Sequence, residues 1–291
     1  MKASLLVLQL VACSHPKTAR PSSPAVLPAW LSGMWIRESV DAKDMSSWTP
    51  KYVYELMTPT HFGDVRIPIA RPPIKGKSFA ELTDAELVAL ADQRGFVGTT
   101  TLHGDIGTWT EEMNFQPPSG ALDTARVVRI GPRIIDEIAL DGSWNEHWWS
   151  VSDGGGRFLA IEVRRAGRLE RFLVVAGDHF VYARNRAHDL PRADSLGKLF
   201  AATHPTRAQM IEMLDCEVSY GVIRGGNQPW QIVSSTLQWR EGVTLEFPQE
   251  LEMRRDSLAP RAPRDEAWTI PNNTFDADEL RLLWRPGASP R

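Results

Sequence analysis

The chain has 291 residues, 42% of them hydrophobic and 24% charged, with a formal net charge of −3. That balance is globular, with room for two domains of ordinary size, and it argues against a general nucleic-acid binder, which would carry a basic surplus. Two cysteines make a disulfide framework improbable, while eleven tryptophans can fill cores or line a pocket.

Met1-Lys2 opens with a positive residue, and Ala3 to Ala12 form an apolar run too short to span a bilayer. The run ends in Leu10-Val11-Ala12-Cys13, which resembles a bacterial lipobox. The resemblance implies a signal peptide over 1–12, a lipid on Cys13 and a lipid-anchored protein of the cell envelope that meets the membrane through that lipid. The Ser-, Pro- and Ala-rich stretch behind it suits a disordered tether over 13–29. The alternative is a cytoplasmic protein with a ragged start.

From Trp35 onward, short β-prone runs alternate with turn signals. The first half predicts strands near 35–40, 52–57, 61–67, 97–103, 108–116, 126–130, 134–140 and 144–151. Thr83-Asp84-Ala85-Glu86 is a capping box, with Leu82 and Leu87 at the two staple positions. It predicts a helix whose apolar stripe is Leu87, Leu90 and Ala91 and which ends at Gly95. Asp153-Gly154-Gly155-Gly156 reads as a linker. The second half predicts strands near 158–164, 169–176, 179–184, 217–223, 230–239, 243–247, 250–254 and 266–270. A short helix near 195–202 precedes a second capping pattern, Thr206-Arg207-Ala208-Gln209.

The halves echo each other. His61-Phe62-Gly63-Asp64-Val65-Arg66 reappears as His179-Phe180-Val181-Tyr182-Ala183-Arg184, and a turn, a capped helix and further strands follow each copy. The expected fold is all-β: two tandem antiparallel β-barrels of eight strands, each with a covering helix, over 30–152 and 157–272, with a C-terminal tail over 273–291. Such a barrel encloses packed side chains or one small ligand.

Gly33-Met34-Trp35 is similar to the Gly-x-Trp signature of the lipocalin/calycin families, whose Trp closes the barrel bottom. Phe62-x-Asp64-x-Arg66-x-Pro68-x-x-Arg71-Pro72, together with Asn114-Phe115-Gln116-Pro117-Pro118, resembles an uncharacterised bacterial family of lipocalin-like proteins with two tandem barrels. The resemblance covers most of residues 30–270 and implies a fold; it implies no reaction.

Alternation puts Phe62, Asp64 and Arg66 on one face, and Phe62 draws that face inward. An inward Arg needs a partner, either Asp64 across the strand face or the carboxylate of a ligand. Trp109, Glu111, Met113 and Phe115 also share a face, as do Trp144, Glu146 and Trp148. A carboxyl among apolar neighbours is desolvated, its pKa rises, and it becomes fit for proton transfer. The ligand-binding candidates are therefore Phe62, Asp64, Arg66, Trp109, Glu111 and Trp148, and the catalytic candidates are Glu111 and Glu146. The equivalent strand of the second half, with Trp230, Ile232, Ser234 and Thr236, carries no acid and reads as structural support.

The seven histidines form no ligand-spaced pair, and neither P-loop, dinucleotide fingerprint nor nucleophile elbow is present, so no metal and no cofactor is expected. Cys216 reads as a buried free thiol. Pro68 to Pro73 is either a lid over a barrel mouth or a static covering loop. Three functions remain: a protein binding a small apolar or carboxylate-bearing molecule in the first barrel, a cofactor-independent isomerase, lyase or hydratase, and a structural envelope lipoprotein without ligand.

Overall fold

The computed structural model describes residues 26–44, 51–74, 78–223, 230–261 and 265–284. The expected leader and Cys13 lie outside them. The last residues of the expected tether do not hang free. Leu27 is buried against the barrel end with Leu31, and its N–H donates to Pro59 O at 2.7 Å. An apolar side chain there gains more from the core than from solvent.

The first half is a closed antiparallel barrel of eight strands in sequence order. They are β1 (Gly33–Ala42), β2 (Lys51–Met57), β3 (His61–Pro68), β4 (Arg94–His103), β5 (Ile106–Asn114), β6 (Asp123–Gly131), β7 (Ile134–Ala139) and β8 (Trp144–Ser152). β8 returns to pair with β1, so no edge is left open. Trp35 fills one end with Leu27, Leu31, Phe62 and Trp148, and its indole N–H donates to Leu31 O at 2.8 Å. Gly33 is required beside it. Its φ is +142°, and a Cβ would lie 2.2 Å from Ser152 O.

Helix α1 (Asp84–Leu90) starts at the expected capping box, with both reciprocal bonds between Thr83 and Glu86 present. It ends at Ala91. Gly95, the expected stop, instead lies in β4, where a Cβ would meet Val218 Cβ at 2.7 Å.

The second half closes no barrel among the described residues. It forms a six-stranded antiparallel sheet in the order β13-β12-β11-β10-β9-β16, and a separate ribbon of β14 (Leu251–Arg254) and β15 (Ser257–Pro260). The sheet strands are β9 (Phe158–Arg165), β10 (Arg168–Ala176), β11 (His179–Arg184), β12 (Glu217–Val222), β13 (Gln231–Ser235) and β16 (Ala267–Asn273). β9 lies between β10 and β16, as β1 lies between β2 and β8. The ring is interrupted where the sequence predicts strands over 230–239 and 243–247. The first stops at Ser235 and winds into a 3-10 turn at Gln238–Arg240. The second contributes a single bridge, Thr244 to Gln231, before another turn begins at Phe247. Pro248 within that turn has no N–H to give a ladder.

Helices α2 (Leu196–Thr203) and α3 (Arg207–Leu214) follow β11, and α3 carries the second expected capping box. The expected tail contains a fourth helix, α4 (Ala277–Leu283). Phe275, Leu280 and Trp284 bury it against the second-half core.

The halves share a core. Leu56, Val65, Val97 and Met113 from the outer barrel wall cluster with Phe172, Val174, Val181 and Val218 of the second sheet and with α1 to α3. Polar ties reinforce it. Buried Gln116 accepts from Leu196 N at 2.8 Å and donates to Ala91 O at 2.9 Å. Cys216 is a fully buried free thiol within this core. The Pro68–Pro73 segment is fastened to the second half. Arg71 donates to Gln93 Oε1, Ser235 O and Glu241 Oε1 at 2.7, 2.8 and 2.6 Å.

Candidate functional site

Inside the barrel, one end is apolar and the other is charged. Strand alternation turns Phe62, Asp64 and Arg66 inward together, as expected. Phe62 joins the apolar plug, and Arg66 Nε donates to Asp64 Oδ1 at 2.9 Å while its guanidinium lies over the Phe96 ring at 5.3 Å. Arg66 Nη1 also reaches Glu146 Oε1 at 3.5 Å, and Arg37 donates to the same oxygen. Arg66 is thus already held by two carboxylates, and Asp64 and Glu146 raise its pKa well above the usual value against the opposing effect of burial.

Pairing register, which is nonlocal, adds two buried acids that the sequence reading missed. β2 sets Glu55 directly across from Asp64, and β7 sets Glu137 directly across from Glu146. Like charges facing each other across a ladder repel. Glu55 is fully buried, so desolvation, then Asp64, push its pKa well above the ordinary carboxylate range; it accepts the Trp109 indole N–H at 2.7 Å. Desolvation, then Glu55 and Glu146, do the same to Glu137, whose Oε1 has no hydrogen-bond partner. Asp64 is raised by desolvation despite Arg66, and its Oδ2 is likewise without a partner. A neutral carboxylic acid is the form such surroundings favour.

The expected face of β5 is split. Trp109 and Glu111 point inward, but Met113 and Phe115 enter the core between the halves. A bulge is the reason. The register slips between Val97–Met113 and Gly98–Glu111, which places two residues of β5 against one of β4 and reverses the alternation. Gly98 makes the close approach possible, because a Cβ would sit 2.0 Å from Thr110 O. Glu111 therefore does not lie among three apolar residues. It stands at the open end, exposed, accepting from Asn114 Nδ2; desolvation still raises its pKa. Glu146 keeps its expected neighbours, with Trp148 buried below it and Trp144 toward the mouth.

These groups surround a cavity of about 330 Å³ at the charged end. Phe96, Trp109 and Trp144 line it, with Glu55, Glu111, Asp123, Glu137 and Glu146 as acids and Arg66 and Arg94 as bases. Trp148 and Phe62 lie deeper, in the plug, and do not line it. Arg94 sits directly across the ladder from Arg66 and makes no hydrogen bond or ion pair among the described residues. Desolvation, then Arg66, lower its pKa. Its inward position was legible two residues before Phe96 on the same strand, but the predicted strand began too late to include it.

The second half carries its own cavity, of about 400 Å³, at which Arg184 and Arg240 are already bound to Asp215 and Glu217 at 2.6 and 3.1 Å. His147 lies between Asp136 and Asp41, each on one ring nitrogen, and among the described residues no group of three or more His, Cys, Asp or Glu is placed to hold a metal ion.

Fold and site define a mostly β protein with a closed eight-stranded antiparallel barrel and a charged cavity at one mouth. No family model matches the chain, and no curated protein matches it. A solved structure of an uncharacterized protein from Saccharomyces cerevisiae is similar over 83% of this chain and 98% of its own, with 8% identity and a TM-score of 0.49.

Proposed function

We propose that this chain is a lipocalin-like binding protein that holds a small molecule in the mouth of its first barrel, and that its second half is an opened copy of the same module. The observation that carries the reading is Arg94: a guanidinium on the cavity wall, exposed to solvent, with no hydrogen bond or ion pair among the described residues, beside Phe96, Trp109 and Trp144. A cavity of about 330 Å³ is large enough for a small ligand, and aromatic walls with a few polar anchors suit one. Arg94 replaces Arg66 as the anchor, because Asp64 and Glu146 already engage Arg66.

The test is native mass spectrometry of the protein purified from its own host. A small molecule should accompany the wild-type chain and be depleted about tenfold or more in Arg94→Ala, since a charge-assisted hydrogen bond contributes about 1.5–3 kcal/mol. Bare wild-type protein under conditions that preserve noncovalent complexes would contradict the proposal.

Acid–base catalysis is the second reading. One observation favours it: Glu111 lines the cavity, reaches solvent and has a raised pKa. That combination suits a general acid or base. It predicts that the accompanying molecule is altered on incubation with wild-type protein and unaltered with Glu111→Gln.

A further inference from the structure

The charged end of the barrel opens into two lobes. The second, of about 500 Å³, shares Arg66, Arg94 and Trp144 with the first, so those three side chains border both. Their charges differ sharply. The second lobe is lined by Arg37, Lys43, Lys51, Arg66 and Arg94 against Asp44 and Asp92. The first carries Glu55, Glu111, Asp123, Glu137 and Glu146, with Asp194 at its wall, against the two shared arginines. The fold builds this separation. The cations come from β1 to β4 and the segment after β1, whereas every acid of the first lobe except Glu55 and Asp194 comes from β5 to β8.

We propose that the mouth takes a small zwitterion, its anionic group in the basic lobe against Arg94 and its ammonium group in the acidic lobe. This deepens the binding reading and rests on it. Three features carry it. Arg94 stands at the seam with no ion pair or hydrogen bond among the described residues, so an incoming anion need not displace a carboxylate. In the acidic lobe, Glu137 is 5% exposed and its Oε1 has no hydrogen-bond partner among the described residues, although it lines the cavity. A buried acceptor left in that state is relieved by a ligand N–H. Trp144 lies against both lobes, and an indole face attracts an ammonium group. A ligand with charge of one sign is matched by one lobe only: an anion in the first lobe faces an excess of acids, and an amine in the second faces an excess of cations. Because burial favours neutral Glu137, seating an ammonium beside it also draws off a proton.

Titration calorimetry on the full chain at pH 7.5 tests this with five probes: 4-aminobutyrate, phosphoethanolamine, butyrate, inorganic phosphate and butylamine. Both zwitterions should bind about tenfold or more tighter than any probe that carries charge of one sign only, and the stronger of the two identifies carboxylate or phosphate as the natural anion. Arg94→Ala should abolish the advantage of the zwitterions over butylamine. Glu137→Gln should abolish their advantage over butyrate and phosphate, and should remove any proton release seen as a dependence of the heat on buffer. A cooperative melting transition shows that each variant still folds, and Asp123→Asn serves as a second acidic-lobe variant where Glu137→Gln does not. Butyrate or butylamine binding as tightly as the zwitterions overturns the proposal, as does equal weakening of all probes by both variants. If no probe binds but the host-purified protein carries a molecule of another class, the zwitterion inference fails and the binding reading stands; if it carries none, both fail.

Discussion

Replacing Gly63 by Ala tests the packing on which the site depends. Gly63 lies in β3 where the barrel wall meets the second sheet, and an added Cβ would stand 2.6 Å from Val181 Cγ1, 2.8 Å from Val181 Cβ and 3.3 Å from Val174 Cγ2. Carbon atoms pack at about 3.5–4.0 Å, so roughly 1 Å must be found. Neither side can easily supply it, since β3 is paired to β2 and β4, and β11 to β10 and β12. Overpacking of this kind costs about 1–3 kcal/mol, and the entropy gained from losing a glycine offsets about 0.5–1. Gly63→Ala should therefore destabilise by up to about 2.5 kcal/mol, with about 1 kcal/mol as the central expectation, read as a lowered urea midpoint with an unchanged slope. Gly197→Ala is the control. That glycine lies in α2, and an added Cβ would meet only Ser195 Oγ at 3.9 Å, so the same chemical change should stabilise by a few tenths to about 1 kcal/mol. Adding Val181→Ala to Gly63→Ala removes the 2.6 Å contact and leaves the 2.8 Å one, so the pair should be less destabilising than the sum of the single changes by about 0.5–1.5 kcal/mol. A stabilising Gly63→Ala, or strict additivity, would refute the contact between barrel and sheet.

Two further predictions concern pH. Glu55 has its pKa raised above 4.5 by burial, then by Asp64. The folded chain therefore holds a proton that the unfolded chain releases, and wild-type stability falls as pH rises from about 4.5 through the raised value. Glu55→Gln still accepts the Trp109 N–H and removes this term. Its stability relative to wild type should climb between pH 4 and pH 8, by about 1.4 kcal/mol per unit of elevation; a difference flat with pH in urea titrations would contradict the assignment. Glu162 behaves oppositely. Hydrogen bonds from His61, then Arg164, hold its pKa down at about 2. Its contribution is present above the unfolded value near 4.5 and is lost as pH falls through about 2, so Glu162→Gln should cost about 1–2 kcal/mol at pH 7, allowing for solvent screening, and only a small part of that at pH 2. Equal losses at both pH values would show that the ion pair is not the source.

The sequence alone determined what depends on near neighbours. The capping boxes at Thr83 and Thr206 place two helix starts because their partners lie three residues away. Period-two alternation groups Phe62 with Asp64 and Arg66, and Trp144 with Glu146 and Trp148, because successive strand side chains must take opposite faces. Tertiary structure decided which face is which and what stands opposite. β2 is apolar on both sides, Val53 and Met57 within the barrel and Leu56 against the second sheet, so nothing local marks Glu55 as inward. Glu137 is hidden in the same way between Ile134, Ile135 and Ile138. The bulge opposite Gly98 separates Glu111 from Met113, and no alternation pattern foretells an extra residue that only the partner strand makes visible. The interrupted second ring and α4 follow from long-range burial, since whether a short apolar run becomes strand, turn or helix is settled by the surface that covers it. The charge division of the mouth is the furthest from the sequence. It arises when β8 closes on β1 and brings cations and acids drawn from more than a hundred positions of chain around one opening.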